Sequence, residues 1–231
     1  MKKVKKQNGF TLVEIAIVLV VIGLLLGGVL KGQELIEASR IKSMAKDLNG
    51  YSTLFMAYQD RYRGVPGDDS TAAVTADAAT GVAAAPASYS ARGWGTYAAS
   101  ASAGTGLIGA ATILTTPAEF AAPSGENLLA IQALRMSGFL TGDGTSKTPP
   151  ANAVGGVIGF TNTVMNFGGV NVVCYTGLNG KQASAIDRLL DDGVNTTGNV
   201  RSDTSALAAI APAGTVVYNE ATTAVTLCKT L

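Results

Sequence analysis

Met1–Leu30 reads MKKVKKQNGFTLVEIAIVLVVIGLLLGGVL. Its second part, Phe10 to Leu30, is 21 residues long and carries a single charge, Glu14. A helix of that length spans about 32 Å, enough to cross the hydrocarbon core of a bilayer. Lys2, Lys3, Lys5 and Lys6 all lie on one side of the run. The bias of positive charge toward the cytoplasm then places the N-terminus inside and the rest of the chain outside.

Three readings of this segment compete. A cleaved secretory signal needs an apolar stretch of only about 7–15 residues and then a small-residue cut site. The present run is too long, and a helix-compatible pattern follows it. A plain signal anchor holding an external domain fits the length. Neither reading accounts for Glu14, a carboxylate five residues into the apolar run. A charge within a spanning helix is costly unless it finds a partner, and it marks function by default. Cleavage between Gly9 and Phe10 would create a partner, because the new amine of Phe10 sits about one helical turn before Glu14. In an assembly of parallel helices, the amine of one copy can neutralise the carboxylate of the next. The pair matters most in a dry environment, where a lone charge is worst, and it fixes register as buried polar residues do in coiled coils.

The run KKQNGFTLVEIAIVLVVIGLL resembles the prepilin leader and core helix shared by type IV pilins and type II secretion pseudopilins. The resemblance covers about the first 30 residues, with looser similarity as far as Asp69. It implies a basic leader, residues 1–9, removed after Gly9 by prepilin peptidase, a membrane aspartyl enzyme that also N-methylates the new first residue, Phe10. It gives Glu14, with Phe10, the assembly role. It implies an inner-membrane precursor embedded in lipid, with its head outside the cytoplasm. Inner-membrane assembly machinery then builds copies of the chain into a helical homopolymer, as an extracellular pilus or a periplasmic pseudopilus. One departure is the absence of Pro before Pro66, where many pilins carry one within the apolar helix. Gly23, Gly27 and Gly28 stand in the run instead, and they weaken a helix and permit close helix approach.

Beyond the membrane run, Ile41, Met44, Leu48, Tyr51, Phe55, Tyr58 and Tyr62 recur every three or four residues, with charges between them. This predicts a helix from Phe10 to Arg63 whose residues 10–30 form the transmembrane or filament-core part. Residues 31–63 continue it amphipathically, and Gly64–Gly67 end it. Residues 64–231 then form a globular head. Asp68 to Thr71 read as caps before Ala72 and Ala73. Residues 74–117 read as a long irregular region around an ordered patch at Trp94 and Tyr97, offering a variable surface for lateral contacts or glycans. A helix is expected over 118–140, with Leu128, Leu129, Ile131, Ala133, Leu134 and Met136 as its apolar face. A short helix is expected over Lys181–Asp192 with Ala183, Ile186, Leu189 and Leu190 inward and Gly193 as stop. Strands are expected over Val154–Thr161 and Val170–Tyr175, and a hairpin over Gly214–Tyr218 and Ala224–Leu227. The fold class is α+β, a long helix backed by a small antiparallel sheet, as in pilins. The segment GKQASAIDRLLDDGVNTTGNVR also resembles a stretch near the C-terminus of pilin-like proteins.

Composition narrows the chemistry. Apolar residues make up 47% and charged residues 14% of the 231 residues, well below the roughly 25% charged of soluble domains. Loss of the first nine residues with their four lysines takes the net charge from +1 to −3, so no basic face for nucleic acid is expected. With no His, Ser–His and Cys–His catalysis and most zinc sites are excluded, and no cofactor or metal is expected. Cys174 and Cys228 pair most simply as one disulfide in an exported chain, as C-terminal disulfides do in many pilins, with two buried free thiols as the alternative. The acid pairs Asp68–Asp69 and Asp191–Asp192 read as caps and solvated charges, with calcium binding as the alternative, although Asp191 lacks alternating ligand spacing. A paired-carboxylate glycosidase would need a cleft that sequence does not reveal. The function expected is a structural filament subunit rather than an enzyme. A pseudopilin or minor pilin of a secretion or DNA-uptake system is the nearest alternative, and a membrane-anchored enzyme or binding domain the alternative of another class.

Overall fold

The computed structural model describes residues 9, 11–68, 104–109, 125–162, 164–165, 167–203, 218, 222 and 224–231. The expected caps Asp69–Ala73, the patch at Trp94 and Tyr97, most of the irregular region 74–117, residues 118–124 and the strand over Gly214–Val217 lie outside the described residues. The chain divides into two compact units, Met1–Ile41 and Lys42–Leu231.

Helix α1 runs over Leu12–Tyr62, unbroken through Gly23, Gly27 and Gly28. Thr11 precedes it, so helical geometry starts two residues after the expected Phe10. Arg63 stops it by turning left-handed, with φ 57°. In the first unit the side chains from Leu12 to Leu30 are exposed. Among the described residues, this helix is the one long and apolar enough to cross a membrane.

The second unit has its own core. From Lys42 onward, α1 buries Met44, Leu48, Phe55 and Tyr58, while Lys42, Lys46, Asp47 and Asp60 face solvent. The three-to-four spacing of the apolar residues dictates this one-sided burial. A four-stranded antiparallel sheet lies beneath, in the order β1 (Ile158–Thr161), β2 (Val172–Leu178), β4 (Val225–Thr230), β3 (Val200–Asp203). Phe160 on β1 meets Phe55 at 5.7 Å and Tyr51 at 6.3 Å between ring centroids. Fully burying each such aromatic stabilises by about 1.5–3 kcal/mol. The opposite face of the sheet gathers Val172, Cys174 and Cys228 with Val164 and Met165.

Several sequence expectations are corrected. Strand β1 begins at Ile158 rather than Val154. Asn152 folds the preceding segment into a turn by accepting from Val154 N–H (3.1 Å) and Gly156 N–H (2.8 Å). Gly156 is required there, because a Cβ would strike the Thr176 carbonyl. Strand β2 extends to Leu178 through an irregular register after Tyr175. Strand β4 pairs with β2 and with β3, and β3 was not expected at all. Its sequence, VRSD, is too short and polar to carry a strand signal. Helix α2 occupies Glu126–Met136 rather than 118–140, and Glu126, Asn127 and Gln132 are buried along with its apolar residues, so it is enclosed rather than amphipathic. Helix α3 occupies Gly180–Leu190, started by a capping box between Asn179 and Gln182. Leu189, expected inward, is 53% exposed, and Asp187 is buried instead. Residues 183, 186, 187 and 190 share one helical face, and 189 falls off it.

Cys174 and Cys228 lie mid-strand, directly opposite each other on β2 and β4, and form a disulfide across 54 residues of sequence. Replacing both with Ala is expected to lower the unfolding free energy of the detergent-solubilised chain by about 4 kcal/mol. A denaturant titration with and without the substitutions measures this, and an unchanged midpoint would assign the strand closure to the ladder alone.

Candidate functional site

The processing and assembly residues read from the sequence fall at the start of α1. Gly9 is exposed and non-helical. Phe10 lies outside the described residues. Thr11 is the N-cap and Glu14 the third residue of the helix. The Thr11 N–H and hydroxyl donate to Glu14 Oε2 at 3.0 and 2.9 Å, and Glu14 N–H donates back to Thr11 Oγ1 at 3.3 Å. This is a reciprocal capping box, which satisfies donors that a helix start leaves orphaned. Thr11 was missed as a participant, although the T-x-x-E spacing ahead of an apolar run is its signature. Beyond the run, Lys31 and Glu34 form an exposed ion pair at 2.9 Å, a geometry of small energetic weight.

The acids of the second unit hold backbone. Asp68 Oδ1 accepts from Gly104 N–H (2.6 Å) and Thr105 N–H (3.1 Å), and Oδ2 accepts from Gly106 N–H (2.5 Å). Asn171 and Glu126 fasten the same segment, accepting from Ile108 N–H (2.7 Å) and Gly109 N–H (2.6 Å). Asp69, the other half of the first acid pair, lies outside the described residues.

Asp187, Asp191 and Asp192 bring carboxylate oxygens within 4.8 Å of one another. Each has protein donors: Asp191 accepts from Asn199 N–H and Val200 N–H. Asp192 accepts from Val194 N–H (2.8 Å) and the Thr197 hydroxyl (2.6 Å). Asp187 accepts from the Tyr218 hydroxyl (2.6 Å) and Gly193 N–H (3.3 Å). Burial pushes the Asp187 carboxyl above its ordinary value. The nearby Asp192 and Asp191 charges add to this, and the Tyr218 and Gly193 hydrogen bonds oppose it. Burial also pushes the Tyr218 phenol up and the Lys229 ammonium down. Lys229 donates to Ser52 Oγ at 3.2 Å.

A long apolar helix followed by a small antiparallel four-stranded sheet is a pilin-like α+β architecture. Residues 4–30 match the prokaryotic N-terminal methylation motif, the signature of type IV pilins and pseudopilins. No curated protein matches the chain.

Because its folded pKa is raised, Asp187 contributes stability that is complete below its ordinary value of 3.8 and is lost as pH rises through the folded value. The unfolding free energy of Asp187→Asn should therefore lack this fall. Denaturant midpoints of wild type and variant, compared from pH 3.8 upward, are expected to diverge, with wild type losing ground as pH rises.

Proposed function

We propose that the chain is a prepilin: cut between Gly9 and Phe10, methylated on the new Phe10 amine, and polymerised through α1 into a type IV pilus-like filament. The methylation motif over residues 4–30 carries this reading. The exposed apolar surface from Leu12 to Leu30 supports it. In the bilayer that surface lies against lipid. A subunit leaving the membrane needs another apolar environment, and the same helix of neighbouring copies supplies one. Glu14 and a neighbour's Phe10 amine then set the axial register, since a carboxylate left alone among apolar helices is strongly disfavoured.

The four leader lysines hold the N-terminus on the cytoplasmic side and place the head outside. Prepilin peptidase and the inner-membrane assembly machinery are the expected partners, and the finished filament is extracellular or periplasmic. The domain division follows: leader 1–9, filament core 10–30, amphipathic continuation 31–63 and head 64–231. The role is structural rather than enzymatic, as the pilin-type motif suggests. A pseudopilin or minor pilin is the second reading, favoured by the absence of Pro from Phe10 to Leu30.

Gly9→Val should leave a full-length precursor in the membrane, and N-terminal mass spectrometry of the wild type should find methyl-Phe10. A mature Gly9→Val protein with the wild-type N-terminus would contradict the prepilin reading. Glu14→Ala should still be cut and methylated but should be absent from sheared filaments when expressed beside wild type. Its recovery there at the wild-type ratio would remove Glu14 from assembly.

A further inference from the structure

We propose that Val164, Met165 and Phe167 form a strap over the Cys174–Cys228 disulfide, that Arg201 latches it, and that thiols reach the sulfurs only when the latch opens. The inference does not depend on the prepilin reading. Gly159, Cys174, Cys228 and Arg201 are directly paired across β1, β2, β4 and β3. Residues paired in this way project from one face of an antiparallel sheet. The disulfide therefore lies between a residue with no side chain and the root of Arg201. Val164 and Met165 pack against the two cysteines on that face, with Phe167 beside them. Val164 is 2% exposed, and Met165, Cys174 and Cys228 are fully buried.

The cover is strained and needs a hold. Met165 has φ 51°, a left-handed conformation that is costly for any residue but Gly and persists only where its surroundings enforce it. Arg201 supplies the enforcement at two points. Its Nη1 donates to the Met165 carbonyl at 3.2 Å, and its guanidinium carbon lies 4.6 Å from the centre of the Phe167 ring. Its Nε donates to the Gly198 carbonyl at 3.3 Å, which fixes the planar head beside β3. Gly168 and Gly169 follow Phe167 with φ 74° and 79°. Backbone without a Cβ can swing there at little steric cost.

Thiol–disulfide exchange needs a thiolate to attack one sulfur, forming a mixed disulfide and releasing the other cysteine as a thiolate. With dithiothreitol, the second thiol of the reagent then displaces the remaining cysteine. Two electrons pass to the protein, leaving two cysteine thiols and cyclic oxidised dithiothreitol. Because both cysteines are fully buried, an attacking thiolate has no approach until the strap lifts. The same access is needed when the bond first forms, so oxidation comes before sealing, and the strap closes over a finished bond.

The test uses the oxidised full-length chain in detergent, as wild type, Arg201→Lys and Phe167→Ala. Lys keeps the charge but lacks the planar fork that both stacks and donates. Each chain is incubated with dithiothreitol in rising but sub-denaturing urea, and free thiols are trapped by alkylation and counted by mass spectrometry. Without urea, both variants should be reduced about tenfold faster than wild type, as expected for loss of a cation–π contact or a charged hydrogen bond. Rates should climb with urea far less steeply than global unfolding does, since local opening exposes little surface. A wild-type rate in Arg201→Lys would overturn the latch. A urea slope as steep as that of global unfolding would assign reduction to unfolded molecules and overturn the strap.

Discussion

From Leu12 to Leu30, α1 presents apolar side chains around its whole circumference, interrupted by Glu14 and three glycines. Left in water, such a surface is unfavourable by about 25 cal/mol for every Å² exposed. Two environments remove that burden: the hydrocarbon of a bilayer and the interior of a bundle of similar helices. A helix suits both, because it satisfies its backbone hydrogen bonds within itself. The remainder of the molecule follows from this constraint. The second unit builds its own core from Met44, Leu48, Phe55, Tyr58 and the sheet, and none of the described buried core residues belongs to the apolar run. In the prepilin reading proposed above, the apolar run exchanges one greasy environment for another.

That exchange makes a lone carboxylate informative. A charged side chain at the centre of a spanning helix costs about 2.5–3.5 kcal/mol on insertion scales, and hydrophobic burial alone never selects for a carboxylate such as Glu14. Apolar helices also slide past one another with little preference for register, since dispersion contacts are non-directional. A charge that needs one specific partner supplies the missing direction. The capping box reconciles these demands in the single chain, because Thr11 engages the carboxylate where no neighbour is present. One short motif thus starts the helix and carries the charge.

The apolar run, the amphipathic stripe and the α+β class were legible because periodicity and length are strong signals over many residues. Helix α3 was legible in extent but not in facing, since Leu189 is apolar in type and lies on the wrong side of the helix. Strand β3 left no trace: four residues, two of them charged, become a strand only because β4 offers an open edge. Asp187 and Tyr218 lie 31 residues apart, and nothing local in either links them. The disulfide was legible as the simplest reading of two cysteines in an exported chain, with free thiols as the alternative, whereas their mid-strand register came from the ladder. Sequence reading captured what neighbours along the chain determine and missed what distant segments impose on each other.

The acids of the second unit show how a chain with few charges uses them. Asp68, Glu126, Asp187 and Asp191 each accept from backbone N–H groups of irregular segments, Asp191 from Asn199. Such segments have no ladder to satisfy their amides, and a bond to a charged acceptor is worth about 1.5–3 kcal/mol. At Asp68 the arrangement has a further consequence. Its carbonyl accepts from Gly104 N–H at 2.9 Å while its carboxylate holds the next two amides. The chain therefore departs after Asp68 and returns beside it at Gly104. A stretch whose ends are pinned together adds to the folding cost only as the logarithm of its length. The intervening residues are rich in Ala, Ser and Thr, and their number alone adds little to the folding cost.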